Sequence, residues 1–500
     1  MANNLKKQTA TSIVWSIIDK FGFQIVAFAT GIVTARLLSP DDFGLIGALA
    51  IFTILSNVLV ESGFTAVLVR RQTNTDADYS AAFIFNILLS IILYIGLVAT
   101  LPAIARYFRM PELTDLGAFL FVAIIINSLG IIQTIKLTKD LKFKELSIAN
   151  LTSAVVSAIV TVLLAWRGYA YWAIAWQQVL QAAVRVAVMW ILSDWAPRAK
   201  PNFGVIKELF AFSAILMLTS VINTLVKYIY HLIIGRYYRK EDLGYYYQAN
   251  KFQQIPSTIV SGALSGVAYP VLSKLNDDKP RQLLYFRKLM RINAFLIFPI
   301  MFGLVGTAEN FIEIFLSAKW LPTVPYLQIL AFAAVFAPFQ SLCLQTLITI
   351  GQPRWNFRLE MLRNAMIILS IFVCAVSVSI TCEPAWRIDV QFFQGTLSIQ
   401  RLLIGFVCAS FLAYVGDVVA AGHFIGYRLT DHLKDILPYM AIAAAMYGLL
   451  YGCTRLGLGI HLTFVVQLAT GIGFYLAATW GLGSQVLRDV IGLLRGETFD

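Results

Sequence analysis

Four cations, Lys20, Arg185, Lys227 and Lys251, fall inside apolar stretches long enough to cross a bilayer. Each would cost about 2.5–3.5 kcal/mol at the centre of an inserted helix. A chain that keeps such a charge needs a carboxylate partner, a water-filled cavity, a snorkelling route or an anionic ligand. The neighbours separate these cases. Around Lys251, the residues Tyr247, Gln254, Thr258, Ser261 and Ser265 recur at spacings of three and four, on one face of a helix with the lysine. Ser213, Ser220, Thr224 and His231 do the same around Lys227. Gln24 and Thr34 accompany Lys20, and Gln178 and Gln181 accompany Arg185. Thr53, Asn57 and Glu61 add a polar face without a cation. A shared aqueous cavity explains these faces together, with cations outnumbering Asp19, Glu61 and Asp417. Lys227 and Arg185 lie near helix ends and could snorkel, and Lys20 could pair with Asp19 or Glu61. Lys251 has no acidic residue within a helical turn, which makes it the strongest candidate for contact with an anion. His231 reads as a wall residue, and Asp417, with Tyr414 and His423 nearby, as a packing residue ahead of an ion-coupling one.

Motifs for other chemistry are missing. The sequence has no Gly-rich phosphate loop, no H-E-x-x-H, no Ser/His/Asp arrangement and no paired catalytic carboxylates, so no catalytic residue, metal or cofactor is expected. Cys343, Cys374, Cys382, Cys408 and Cys453 lie in or beside apolar segments without metal-ligand spacing and read as packing residues.

The elements that must position these side chains follow from composition. Of 500 residues, 59% are hydrophobic and 13% charged, against about 45–50% and about 25% in soluble domains. A multi-pass, all-α membrane protein is the reading that fits. Apolar runs place spans near 11–37, 43–68, 79–103, 113–135, 145–166 and 169–193, then 205–233, 243–272, 287–316, 323–350, 356–382 and 399–425. A terminal pair lies near 435–455 and 461–485. About fourteen transmembrane helices thus form two six-helix lobes, 1–200 and 201–425, followed by a helix pair and tail over 426–500. The net charge of +12 is spread through short loops with no basic block, which argues against nucleic acid. With the N-terminus inside, inner segments hold 24 Lys and Arg and outer segments 11. That bias puts both termini in the cytoplasm. Pro256, Pro270, Pro299 and Pro338 lie within or near spans and are expected to bend them.

At an offset of 200 the chain matches itself. Arg36, Asp42 and Gly44 fall on Arg236, Asp242 and Gly244, each set in the turn between the first and second helix of its lobe. Two parallel repeats are expected, with these turns locking the structure or closing a gate.

Several runs resemble a known family. Arg36-Leu37-Leu38-Ser39-Pro40-Asp41-Asp42-Phe43-Gly44-Leu45-Ile46-Gly47 is one; Glu61-Ser62-Gly63-Phe64 followed by Arg70-Arg71 is another. Lys136-Leu137-Thr138-Lys139-Asp140-Leu141-Lys142-Phe143-Lys144 and Leu243-Gly244-Tyr245-Tyr246-Tyr247-Gln248-Ala249-Asn250-Lys251 complete the set. Together they are similar to the polysaccharide transporters, Wzx and WzxC-like flippases for lipid-linked oligosaccharides. These belong to the multidrug/oligosaccharidyl-lipid/polysaccharide exporter superfamily, with MurJ and the MATE drug exporters. The resemblance runs from the N-terminus to about residue 365 and continues beyond only as hydropathy. It implies a two-lobed transporter in the bacterial inner membrane that moves an undecaprenyl-diphosphate-linked glycan from the cytoplasmic to the periplasmic leaflet by alternating access. The implied partners are that glycan, membrane lipids and other polysaccharide assembly proteins. Relatives line a central cavity with cations on the first and eighth helices, places held here by Lys20 and Lys251. Further lining residues would be Gln24, Asn57, Glu61, Arg185, Lys227 and Gln254. A drug exporter would favour acidic residues there, and a membrane polymerase or ligase would need a sizeable outer loop.

Overall fold

The computed structural model describes residues 2–61, 68, 71, 74–202, 204–276, 278–381, 387–392 and 398–487. Residues 62–64 and Arg70 of the family-like runs, and Cys382, lie outside these, as does the side chain of Ser213.

The chain is a succession of long rods. In order they are α1 (Ala2–Leu37), α2 (Pro40–Glu61), α3 (Asp76–Phe108), α4 (Leu113–Lys139), α5 (Phe143–Trp166), α6 (Tyr171–Leu192) and α7 (Gly204–Tyr237). Then come α8 (Lys240–Lys274), α9 (Lys279–Leu316), α10 (Thr323–Thr349), α11 (Pro353–Ala375), α12 (Ile399–Ile425), α13 (Leu429–Thr454) and α14 (Ile460–Gly481). Among the described residues 13 helices are long and apolar enough to cross a membrane. The remaining rod is α11, which carries Arg354, Arg358, Glu360 and Arg363 near its start. A rise of about 1.5 Å per residue makes twenty-odd residues match a hydrocarbon layer of about 30 Å.

Two compact units result, Met1–Gly244 and Tyr245–Asp500. In the first, α5 lies along α1 and α6. Its buried face is Ala149, Ser153, Ser157, Thr161 and Ala165, small residues four apart that let the backbones approach. In the second, α9 is the central rod. Phe286, Met290, Ala294, Ile297 and Phe298 form one buried cluster with Phe339, Val418, Ile442 and Met446 from α10, α12 and α13. The first unit extends past residue 200 to Gly244 because α7 packs on α2 and the first turn of α8 crosses it.

Several expected boundaries shift. α4 runs as three pieces, Leu113–Leu120, Val122–Ser128 and Ile131–Lys139, and α10 as two, Thr323–Ala334 and Ala337–Thr349. Pro338 sits in the first turn of the second piece of α10, where its missing N–H interrupts no hydrogen bond. The bend expected there is thus a break between two helices. α8 and α9 continue as helices through Pro256, Pro270 and Pro299. The eleventh span, expected to reach residue 382, ends at Ala375 and gives way to an antiparallel hairpin of β1 (Val376–Thr381) and β2 (Arg387–Phe392). Val-Ser-Val-Ser-Ile-Thr alternates β-branched and small polar residues, a period of two that a helix cannot place on one face. The bundle is otherwise helical, and α12 occupies the expected 399–425.

Candidate functional site: embedded cations and paired repeat turns

In the first unit Arg185 is held inside a network. Its Nε donates to Asn150 Oδ1 on α5 at 2.9 Å, and Asn150 Nδ2 donates to Asp19 Oδ2 on α1 at 3.0 Å. The carboxylates of Asp19 and of Glu61, the last residue of α2, both act on Arg185, and Lys20 acts on Asp19. Lys20, Glu61 and Arg185 are therefore brought together with Asp19. Arg185 is held by Asn150 and lies in the field of both carboxylates. Two cations here face two carboxylates, so an incoming anion would gain little net field. Asn150 organises the network and was not anticipated; its one signal is an amide amid the small and apolar residues of α5. Gln24 on α1 and Asn57 on α2 are half-buried elsewhere on these helices.

Lys227 on α7 is exposed, its ammonium 5.7 Å from the Tyr228 ring centroid. One turn on, His231 is 1% exposed with its ring 5.1 Å from that of Tyr228. The histidine is packed within the unit and lines no open surface.

In the second unit Lys251 is half-buried, and among the described residues no carboxylate pairs with it or acts on it. The stripe beside it divides into two parts. Gln254 and Gln253 both donate to Asn250 Oδ1, at 3.0 and 2.9 Å, which ties these three amides together. Farther along, Ser265 binds Gln345 and Ser341 of α10, and Ser257 donates to the Ala334 carbonyl at 3.4 Å. The far end of the stripe thus joins two helices. Lys251, Gln254, Thr258 and Ser261 stay half-buried or exposed.

The repeat turns match in detail. α1 and α7 end at Leu37 and Tyr237, and α2 and α8 begin at Pro40 and Lys240. Asp42 Oδ2 accepts from the Ser39 backbone N at 2.8 Å, and Asp242 Oδ2 from the Arg239 backbone N at 3.2 Å. Each aspartate, at the third helical position, satisfies a donor that the helix start leaves over. Asp42 Oδ1 also accepts from the Tyr171 backbone N at 3.1 Å, which ties the turn to α6. Arg236 donates to the Tyr107 carbonyl at 2.7 Å, and it is Arg239 that reaches Glu241, at 3.7 Å. At the crossing itself a Cβ on Gly44 would stand 2.2 Å from the Lys240 carbonyl oxygen, and one on Gly244 2.0 Å from that of Pro40. Only glycine allows the two helix starts to touch.

Beside the crossing Lys240 Nζ donates to Glu112 Oε1 at 2.6 Å. That hydrogen bond holds the Glu112 carboxyl below its usual range, against the effect of burial. A lowered folded value means the pair supports the fold at neutral pH and stops doing so as pH falls through that value. Both side chains are about a third exposed, so its worth is about 0–1 kcal/mol.

A second polar centre lies between α9 and α13. Arg287 Nε and a terminal nitrogen donate to Asp435 at 2.9 and 3.0 Å, and Arg291 Nε at 2.8 Å. Tyr427 Oη donates to the same carboxylate at 3.0 Å. Burial first, and then Asp435, push the Tyr427 phenol up, so it remains a donor at any physiological pH. His432 takes contacts from both Tyr427 and Tyr414. From sequence, Arg287 and Arg291 count only as loop charge. Their spacing of four opposite an aspartate on an apolar helix is the signal that could have found the clamp. Asp417 is buried, and among the described residues its Oδ2 has no hydrogen-bond partner.

The family described as polysaccharide biosynthesis protein matches residues 33–325. The chain belongs to this family. Over 89% of its length it is 25% identical to the succinoglycan biosynthesis transport protein ExoT of Rhizobium meliloti, covering 92% of that protein. Over 94% it is 22% identical to the lipopolysaccharide biosynthesis protein WzxC of Escherichia coli, covering 89% of it. Among solved structures, the lipid II flippase MurJ in an inward closed conformation superposes with a TM-score of 0.74 at 16% identity, over 96% of this chain and all of that one. An inward-facing MATE family transporter gives 0.64 at 14%, over 83% and 98%. The chain is thus a multi-pass membrane member of the polysaccharide biosynthesis family with the fold shared by the MurJ and MATE structures, in line with the fold that the Wzx-like resemblance implied.

Proposed function

We propose that this family member flips an undecaprenyl-diphosphate-linked oligosaccharide repeat unit from the cytoplasmic to the periplasmic leaflet of the bacterial inner membrane, for O-antigen, capsule or exopolysaccharide assembly. The observation that carries the reading is Lys251, a membrane-embedded ammonium that no carboxylate compensates among the described residues. A diphosphate headgroup would supply the missing charge, and in a low-dielectric site one lysine lowers the crossing barrier far more than it could in water. Gln254, one turn on along the same helix face, is a further candidate donor for glycan or phosphate oxygens. Lys20 is the second candidate contact, with Lys227 and Arg185 behind it. Both termini would be cytoplasmic, with lobes 1–200 and 201–425 and the pair over 426–500 beside them. Cationic drug export would place a carboxylate where Lys251 stands. In cells lacking this protein, lipid-linked repeat units should accumulate in the cytoplasmic leaflet; unchanged amounts and normal surface polysaccharide would overturn the proposal.

Alternating access requires some contact to form and part in each cycle, and the Gly44–Gly244 crossing suits that role because backbone meets backbone with no side chain to rearrange. Gly244→Ala should weaken the crossing by about 1–3 kcal/mol, the usual cost of overpacking. At about 1.4 kcal/mol per factor of ten, its population falls by about one to two orders of magnitude. Transport should fall in the Gly244→Ala chain at equal membrane level. Wild-type transport in that chain would remove the crossing from the cycle.

A further inference from the structure

We infer that the Arg287–Arg291–Asp435 clamp between α9 and α13 is a docking site for the phosphate of an anionic phospholipid, with Lys434 as a further donor. The clamp does not neutralise itself. One carboxylate is shared by two guanidinium groups. Arg287 gives Nε and Nη2 to Asp435; Arg291 gives Nε, and its Nη2 lies 2.7 Å from the same carboxylate. The Nη1 of each arginine is left over, with two N–H donors apiece. Among the described residues neither Nη1 has a hydrogen-bond acceptor, and neither is sealed inside, since the side chains are 33% and 36% exposed. The two arginines stand one helical turn apart and grip one carboxylate, which holds the spare nitrogens near each other. Asp431 adds a second negative charge to the field at Arg287, but the exposed Arg428 and Lys434 outweigh it. Pre-set guanidinium donors with surplus positive charge suit a phosphate.

Depth and surroundings make the phosphate a lipid's. α13 has 26 residues, a length of about 39 Å, close to the about 40–45 Å of a bilayer with its headgroups. Asp435 lies six residues into it, about 9 Å from its start. That is the boundary between headgroups and hydrocarbon. Leu429, Leu433 and Leu437, four apart on α13, are between 40% and 51% exposed, an apolar stripe that in a spanning helix faces acyl chains. At about 100° per residue Lys434 comes between this stripe and Asp435 around the helix. Chains lying along the leucines would therefore bring their own phosphate to Lys434 and the spare arginine nitrogens. A basic pocket between spanning helices at headgroup height is the form that lipid headgroup sites take. The surplus positive charge favours a lipid whose headgroup carries no ammonium. The inference needs no particular substrate and holds for whichever leaflet α13 starts in.

The test uses the full chain purified in detergent and offered equal amounts of phosphatidylglycerol and phosphatidylethanolamine, with bound lipid counted by native mass spectrometry. The parent should retain phosphatidylglycerol several-fold over phosphatidylethanolamine. Arg287→Lys combined with Arg291→Lys keeps two charges for Asp435, removes the spare nitrogens, and should abolish the preference. Lys434→Gln guards against a disturbed clamp, because that side chain is exposed and carries no part of the α9–α13 contact. It should at least halve the preference while thermal unfolding in lipid-free detergent stays unchanged. Equal retention of the two lipids by the parent, or an undiminished preference in either variant, would overturn the inference. Glycerol phosphate at millimolar concentration should leave the bound lipid in place. Its displacement would make the clamp a site for soluble phosphates and would overturn the inference as well.

Discussion

Lys251→Met removes transport while the protein still reaches the membrane in normal amount. The lysine is half-buried on α8 without a carboxylate among the described residues, so its charge is a cost to the apo protein. Taking away an uncompensated embedded charge should leave the fold unchanged or steadier. If the charge serves the headgroup, the same change removes an interaction strongest when the diphosphate leaves water. A loss of about 3 kcal/mol, at the upper end for a hydrogen bond to a charged group, slows flipping by about two orders of magnitude. Lys251→Arg should retain part of the rate, since charge persists while the flat guanidinium alters the geometry. The matched Lys20→Met change should cost less, because Lys20 already lies in the field of Asp19. The deciding measurement is flipping by Lys251→Met at equal membrane level. Near-normal rates would mean that shape, and not charge, underlies recognition.

Replacing Asp435 by Asn should destabilise the C-terminal part of the chain more than any other single change considered. The Asp435 side chain is 1% exposed and takes donors from Arg287, Arg291 and Tyr427. Breaking a buried pair by removing one partner costs about 3–5 kcal/mol. The arginines are each about a third exposed and can recover some hydration, which places the expected loss near the lower end. α13 is attached to α9 through this clamp, so the loss should appear as earlier thermal unfolding in detergent, read by the fraction that remains monodisperse. An unchanged transition would show that apolar packing, such as that of Phe295 on Tyr439, holds the pair without the ions.

What the amino-acid order alone determined were properties that sum over a window or repeat along one helix. Mean hydropathy set the membrane class and the rods. Helical periodicity exposed the stripe containing Lys251 and its lack of a nearby acid. The offset of 200 located two turns whose aspartates perform the same capping task. Contacts between distant segments were decided by tertiary structure. Asn150, 131 residues from Asp19, links Arg185 to that carboxylate through two hydrogen bonds. Asp435 turns two apparent loop charges into a clamp 148 and 144 residues away. Ser265 looked like part of a cavity wall and instead binds α10. The hairpin stands between these cases. Its period of two is plain in Val376–Thr381, but an averaged hydropathy registers it as the tail of a helix, because averaging discards the alternation that separates strand from helix. Burial, pairing and direction of approach depend on which helices meet, and a one-dimensional pattern carries that information only where partners lie within a turn or two of each other.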